Sequence, residues 1–154
     1  DVAGGGLAHA ASIQGIIAME HIAGLGPEPF DPARVPRCVY TRPEVASVGL
    51  TEAQAREQGR EVRVGTFPWR GIGKALVHGS VDGFAKIVAD AATGDVLGVH
   101  LIGPDATNLI AEAGLALTLN ASAWELGQVI HPHPTLAEIF GEAALAVEGR
   151  AIHM

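Results

Sequence analysis

Only one cysteine, Cys38, stands among the 154 residues, so the chain can form no internal disulfide, carries no Cys-x-x-Cys redox motif and offers no multi-cysteine zinc site. That scarcity points to a reducing compartment, with the cytoplasm as the expected location. Basic residues are few as well. Ten Lys and Arg against seventeen Asp and Glu leave a formal net charge of −7, so there is no basic face to neutralise a phosphate backbone, and nucleic acid is excluded as an expected partner. Long apolar runs are missing: Ile16 to Met19 and Leu115 to Leu119 fall far short of the roughly 20 residues that span a bilayer, and no membrane association is expected. The opening Asp1-Val2-Ala3-Gly4 has neither a basic n-region nor an initiator Met, which reads as the start of a fragment. A dinucleotide-binding GxGxxG is lacking too, because Gly71-Ile72-Gly73 has no third glycine at the required spacing. What the chain does have is 48% hydrophobic residues, enough to build the core of one ordinary domain.

Punctuation by glycine and proline divides the chain. Gly4-Gly5-Gly6 leads into Leu7 to Leu25, where Ala10, Ile13, Ile16, Ile17 and Ala18 predict a helix closed by Gly24 and Gly26. Pro27, Pro29, Pro32 and Pro36 then permit neither a helix nor a central strand, so an extended linker over residues 27–36 separates residues 1–26 from a domain over residues 37–154. In that domain Arg37 to Thr41 and Ala46 to Leu50 read as strands. Thr51-Glu52-Ala53-Gln54 reads as a capping box opening a helix that ends at Gly59. Glu61 to Pro68, Lys74 to His78, Gly83 to Asp90 and Val96 to Gly103 follow as strand candidates, the last two joined by a hairpin turn at Gly94.

After Gly103-Pro104 the pattern turns helical. Asp105 is the expected cap of a helix to Leu119, Ser122-Ala123-Trp124-Glu125 is a second capping box, and Thr135-Leu136-Ala137-Glu138 is a third, ahead of a helix to Val147. Strands grouped before helices predict an α+β domain, an antiparallel sheet packed with helices.

The densest chemistry lies in His131-Pro132-His133-Pro134-Thr135-Leu136-Ala137-Glu138. Each proline holds the histidine before it on extended backbone at the mouth of a helix, a rigid placement suited to a general base. Either His-Pro bond is open to the cis form. Glu138 is the nearest carboxylate to fix the tautomer of such a base. It is equally well placed to return a hydrogen bond to Thr135 as the third residue of a capping box, and the residues alone leave both readings open. His131 and His133 make only two ligands, so no metal site is expected. Histidines 9, 21, 78, 100 and 153 show no ligand spacing and read as structural or solvent-facing. Tyr40, Trp69 and Trp124 read as core or interface aromatics, and Cys38 as a buried inert thiol.

The run from His131 to Glu138 closely resembles the C-terminal motif H-x-H-P-T-x-x-E of dihydrolipoamide dehydrogenases; glutathione reductases share only its H-P-T-x-x-E part. Tyr40-Thr41-Arg42-Pro43-Glu44-Val45-Ala46-Ser47-Val48-Gly49-Leu50-Thr51-Glu52 is similar to a further segment of that family, and Gly94 to Gly103 resembles its central hairpin. The resemblance implies the dimerisation domain of FAD- and NAD-linked disulfide reductases over residues 37–154, with residues 1–26 as the end of a flavin-binding domain. It implies that Asp1, Leu7, Ala8 and His9 approach the flavin, although the loop between Asp1 and His9 is one residue shorter than the family's. It also implies that the parent oxidises protein-bound dihydrolipoamide with NAD and serves a lipoyl-bearing acyltransferase complex. His133 would then be the base and Glu138 its partner, both acting on the redox site of the opposite subunit of a homodimer. FAD and NAD belong to the parent, and the fragment alone is expected to bind neither and to be inactive. The alternatives are the same domain of a glutathione-type or soluble transhydrogenase-type reductase, or a purely dimerising module.

Overall fold

The computed structural model describes residues 1–153 and divides into two compact units, Asp1–Val35 and a second that begins at Pro36. The first unit is built on one helix, α1 (Ala8–Ile22), entered from Gly4, Gly5 and Gly6, all at positive φ. It stops at Ala23, short of the expected Leu25, where Gly24 and Gly26 take the left-handed conformation that glycine adopts without a Cβ clash. Within the proline-rich stretch a single 3-10 turn, Pro32–Arg34, is capped by the Asp31 side chain, which accepts from the Ala33 amide.

The second unit is an antiparallel five-stranded sheet in the order β1-β2-β5-β4-β3. Its strands are β1 (Arg37–Val39), β2 (Glu44–Gly49), β3 (Val62–Pro68), β4 (Phe84–Asp90) and β5 (Val96–Gly103). The β4–β5 pair is the hairpin expected at Gly94. Between β2 and β3 lies α2 (Glu52–Glu57), which opens with both halves of the Thr51–Gln54 capping box. After the sheet come α4 (Ala106–Thr118), α5 (Ala123–Gly127) and α6 (Glu138–Val147). This confirms the α+β class.

Lys74 to His78 is not a strand. It lies in α3 (Gly73–His78), which follows a 3-10 turn at Trp69–Gly71 and closes on Gly79 at φ 65°. Ile72 and Ala75 point inward while Leu76 and Val77 face out, a three-residue spacing that a helix satisfies and an alternating strand does not.

Helices α4 and α6 lie on one face of the sheet, α4 over β2 and β5 and α6 over β3 and β4, with α5 against α6. The core between them gathers Phe67, Trp69, Ile87, Leu101, Ile139 and Phe140, all fully buried or nearly so. The indole N–H of Trp69 donates to the Ile102 carbonyl at 2.7 Å, which satisfies the polar end of a buried aromatic. Gly65 on β3 brings α6 down onto the sheet, since a Cβ there would collide with the Ala143 carbonyl and the Val147 amide.

Two helix starts differ from expectation. Asp105 sits at the head of α4 with φ 52° and makes no side-chain cap. The cap comes instead from Glu44 at the start of β2, whose Oε2 accepts from the Thr107 amide at 2.9 Å and the Thr107 hydroxyl at 2.7 Å. A carboxylate from a distant strand thus supplies the negative charge that a helix N-terminus favours. Likewise α6 begins at Glu138, not after a Thr135 cap: the Thr135 hydroxyl donates to the Pro132 carbonyl, and only the Glu138 half of the box forms, with Oε2 accepting from the Thr135 amide at 2.9 Å. The Ser122–Glu125 box ahead of α5 is complete.

Candidate active site: a pair of histidine–carboxylate dyads beside α6

The segment between α5 and α6 carries both His-Pro histidines, with the His133–Pro134 bond cis, and ends where α6 starts. His133 Nδ1 lies 2.8 Å from Glu138 Oε1. A carboxylate only accepts, so the proton of this bond belongs to Nδ1, and in the neutral ring the other nitrogen carries the lone pair. The His133 side chain is 76% exposed, so the ring is open to solvent. Burial tends to raise the Glu138 carboxyl, but the hydrogen bonds from the His133 ring and the Thr135 amide outweigh it and hold the group below its ordinary value, helped by the nearby His153. Glu138 is therefore a fixed negative charge. One oxygen bonds the ring and the other the backbone, so a single side chain makes both of the hydrogen bonds between which the sequence left the choice open.

His131, two residues earlier, is arranged oppositely. Its side chain is 8% exposed and its Nε2 lies 2.8 Å from Oε1 of Glu112 on α4. The two rings face different carboxylates and do not converge. Among the described residues no group of three or more His, Cys, Asp or Glu is placed to hold a metal ion. Sequence reasoning missed Glu112, because nothing local ties residue 112 to residue 131.

A third pair was missed as well. Glu142, one turn beyond Glu138 on α6, is buried and accepts from His153 Nδ1 at 2.7 Å, from the Ile152 amide at 2.8 Å and from the His153 amide at 3.3 Å. The i, i+4 spacing of Glu138 and Glu142 was the available signal.

Other histidine and cysteine positions are quieter. His100 on β5 is half-buried, with Nε2 3.1 Å from the Leu50 carbonyl; burial pushes its protonation down despite that bond. Cys38 on β1 is half-buried against the core, and burial first, then the charge of Glu44, raise its thiol above the ordinary value against a lowering hydrogen bond with Tyr40. Tyr40 and Trp124 are exposed, whereas Trp69 is core.

Asp1, Leu7, Ala8 and His9 all lie in the first unit. Asp1 accepts the Gly4 amide on its carbonyl at 3.0 Å, and Leu7 opens α1 in extended conformation with no side-chain cap. A Cβ added at Gly4, Gly5 or Gly6 would meet nothing within 4 Å.

Comparison with known proteins gives this arrangement its context. The chain is 62% identical to the dihydrolipoyl dehydrogenase of Bacillus subtilis over 154 residues, covering 99% of this chain and 32% of that protein. It is 48% identical to the dihydrolipoyl dehydrogenase of Zymomonas mobilis, again over 99% of this chain and 33% of the relative. It therefore spans about a third of the length of the curated relatives it matches. Among solved structures, LpdA from Mycobacterium tuberculosis superposes with a TM-score of 0.85 at 33% identity, over 90% of this chain and 30% of that one. The HOCl-induced flavoprotein disulfide reductase RclA from Escherichia coli follows at 0.76 and 29%, over 83% and 30%. The profile of the pyridine nucleotide-disulphide oxidoreductase dimerisation domain matches residues 35–144, and the chain belongs to that family.

Proposed function

We propose that this chain is the subunit-interface domain of a cytoplasmic, FAD-dependent dihydrolipoamide dehydrogenase, and that it supplies the proton-accepting base of the reaction. The observation that carries the proposal is the exposed His133 ring held by Glu138 at 2.8 Å. The 62% identity to a dihydrolipoyl dehydrogenase favours this parent over a glutathione-type or transhydrogenase-type reductase.

A dithiol must lose a proton before it can attack a disulfide, and free thiols near pKa 8.5 are mostly protonated at neutral pH. The other ring nitrogen of His133 takes that proton, and Glu138 stabilises the resulting imidazolium without itself taking the proton. Returning the proton to solvent resets the dyad, which the exposure of the ring allows.

Asp1, Leu7, Ala8 and His9 would lie along one edge of FAD, at the start of α1. When bound, FAD together with a redox disulfide supplies the path by which the two electrons of the dithiol reach NAD. Neither the disulfide nor a dinucleotide-binding fold is among the described residues, so the 154-residue chain purified alone is expected to be colourless and inactive.

The dyad acts across a symmetric homodimer, on the redox site of the opposite subunit. Exposed Leu115, Leu119, Trp124, Val129 and Ile130 supply apolar surface for an isologous contact. A lipoyl-bearing acyltransferase complex is the partner that presents the dithiol.

The test is turnover of dihydrolipoamide at saturation by the flavin-loaded enzyme carrying His133→Gln. General-base help is typically worth roughly 10²–10⁴-fold, so retention of more than about a tenth of wild-type turnover would remove His133 from this role.

A further inference from the structure

The middle of α6 holds a glycine, Gly141, three residues into a ten-residue helix. Its φ is not in the left-handed region, so the backbone does not require it. In a helix interior glycine is destabilising relative to alanine, and the reason for it lies in what an added Cβ would meet. Outside its own helix backbone and among the described residues, that atom would approach only His131, Nδ1 at 3.2 Å and Cε1 at 3.6 Å, within 4 Å. Among the described residues, the neighbour that benefits from the missing methyl group is the His131 ring.

The opposite nitrogen of the same ring is bonded to Glu112 on α4 at 2.8 Å. The ring is thus held between two helices, by a charge-assisted hydrogen bond on one side and close packing on the other, and its side chain is 92% hidden from solvent. One residue separates it from His133, whose own ring stands in the open. Pro132 stiffens the backbone between them.

We infer that Glu112 and Gly141 form a seat for the His131 ring, making His131 a positioning residue that fixes the backbone carrying His133, with no part of its own in proton transfer. The inference rests on the reading of His133 as the base and extends it to the residues that aim it. Buried side chains with both ends engaged hold a site within the fraction of an ångström that catalysis needs, and a misplacement of about 1 Å can cost on the order of a hundredfold in rate.

The experiment is a double-mutant cycle between Gly141→Ala and His131→Ala in the flavin-loaded enzyme, with the thermal midpoint of each variant measured alongside turnover. Gly141→Ala forces the ring to give by a few tenths of an ångström, so kcat is expected to fall about three- to tenfold with KM within about twofold of wild type. Because alanine favours the helix, its thermal midpoint should hold or rise by about 3 °C. Activity and stability moving apart is the outcome that a merely structural role cannot give. In the His131→Ala background the same substitution meets nothing and should change kcat by less than about twofold.

Glu112→Ala provides an independent route to the same end, with Glu112→Gln recovering most of the loss because its amide oxygen still accepts from the ring. Wild-type kcat in Gly141→Ala, or an equal loss in both backgrounds, overturns the seat. If His133→Gln is inactive while Gly141→Ala is silent, only the seat falls; if His133→Gln is active, the base assignment falls and the seat with it.

Discussion

His131 and His133 stand two residues apart, each bonded to a glutamate at 2.8 Å, yet one side chain is 8% exposed and the other 76%. The chemistry of the two pairs is the same, so the difference lies in surroundings. A buried ring bonded at one nitrogen and packed against a helix at the other is shut off from a substrate, whereas an exposed ring anchored at one nitrogen can exchange a proton with it. With His133 as the proposed base, two copies of one pair separate into a part that holds and a part that acts.

The comparison breaks most visibly at the proposed base. In the flavin-loaded enzyme His133→Gln should lower turnover by roughly 10²–10⁴-fold, while His131→Gln, which keeps a donor for Glu112, should lose about tenfold or less. Comparable losses at the two positions would erase the division of labour.

Next in size is an effect on the helix that both rings flank. Gly65→Ala would drive a Cβ into the α6 backbone at Ala143 and Val147, and overpacking of this kind typically costs about 1–3 kcal/mol. A urea-unfolding midpoint left at the wild-type value would show that α6 is not seated through Gly65.

Glu138→Gln sharpens the dyad itself. The amide oxygen can still accept from either the ring or Thr135, but the charge that stabilises the imidazolium is gone, so turnover should fall about tenfold while the helix start survives. Unchanged turnover would reduce Glu138 to a helix-start residue. The same variant bears on acid stability. The folded carboxyl sits below its ordinary value near 4.3, so its contribution is complete above that value and is lost as pH falls through the folded one. Acid titration followed by circular dichroism should show Glu138→Gln losing less stability than wild type below about pH 4.

The smallest effect belongs to His100, a histidine that neither holds nor acts. Burial lowers its folded value below the ordinary 6.5 or so, which makes the folded state the weaker proton binder. Stability from this group is therefore complete above about pH 6.5 and declines as pH falls below it. His100→Gln should flatten the midpoint between pH 7 and 5, and an unchanged slope would count against the burial argument.

How far the sequence showed all this depends on the range of each interaction. The Thr51 and Ser122 capping boxes, the β4–β5 hairpin and the α+β order were legible because their partners lie within a few residues. So was the His133–Glu138 pair, five residues apart. The α3 helix was not, since six residues with three consecutive apolar ones, Ala75, Leu76 and Val77, fit either period and tertiary packing around Trp69 and Ala75 decided the matter. The Glu44 cap on α4 and the Glu112 partner of His131 span 63 and 19 residues, and local rules carry no information at that distance. The consequence for Asp105 was an expected cap that the structure hands to another strand.

One feature of β1 bears on handling as well as on chemistry. The reactive form of a cysteine is its thiolate, and Cys38 is kept from that form by its half-buried place and by Glu44 beside it. A domain proposed to work against thiols and disulfides thus carries a sulfur of its own that stays out of the exchange. For the spectroscopist this leaves nearly a blank slate: a single cysteine introduced on the α4 or α6 surface should take a maleimide dye well before Cys38 does, and the native chain can report on its own self-association without first being stripped of its thiol.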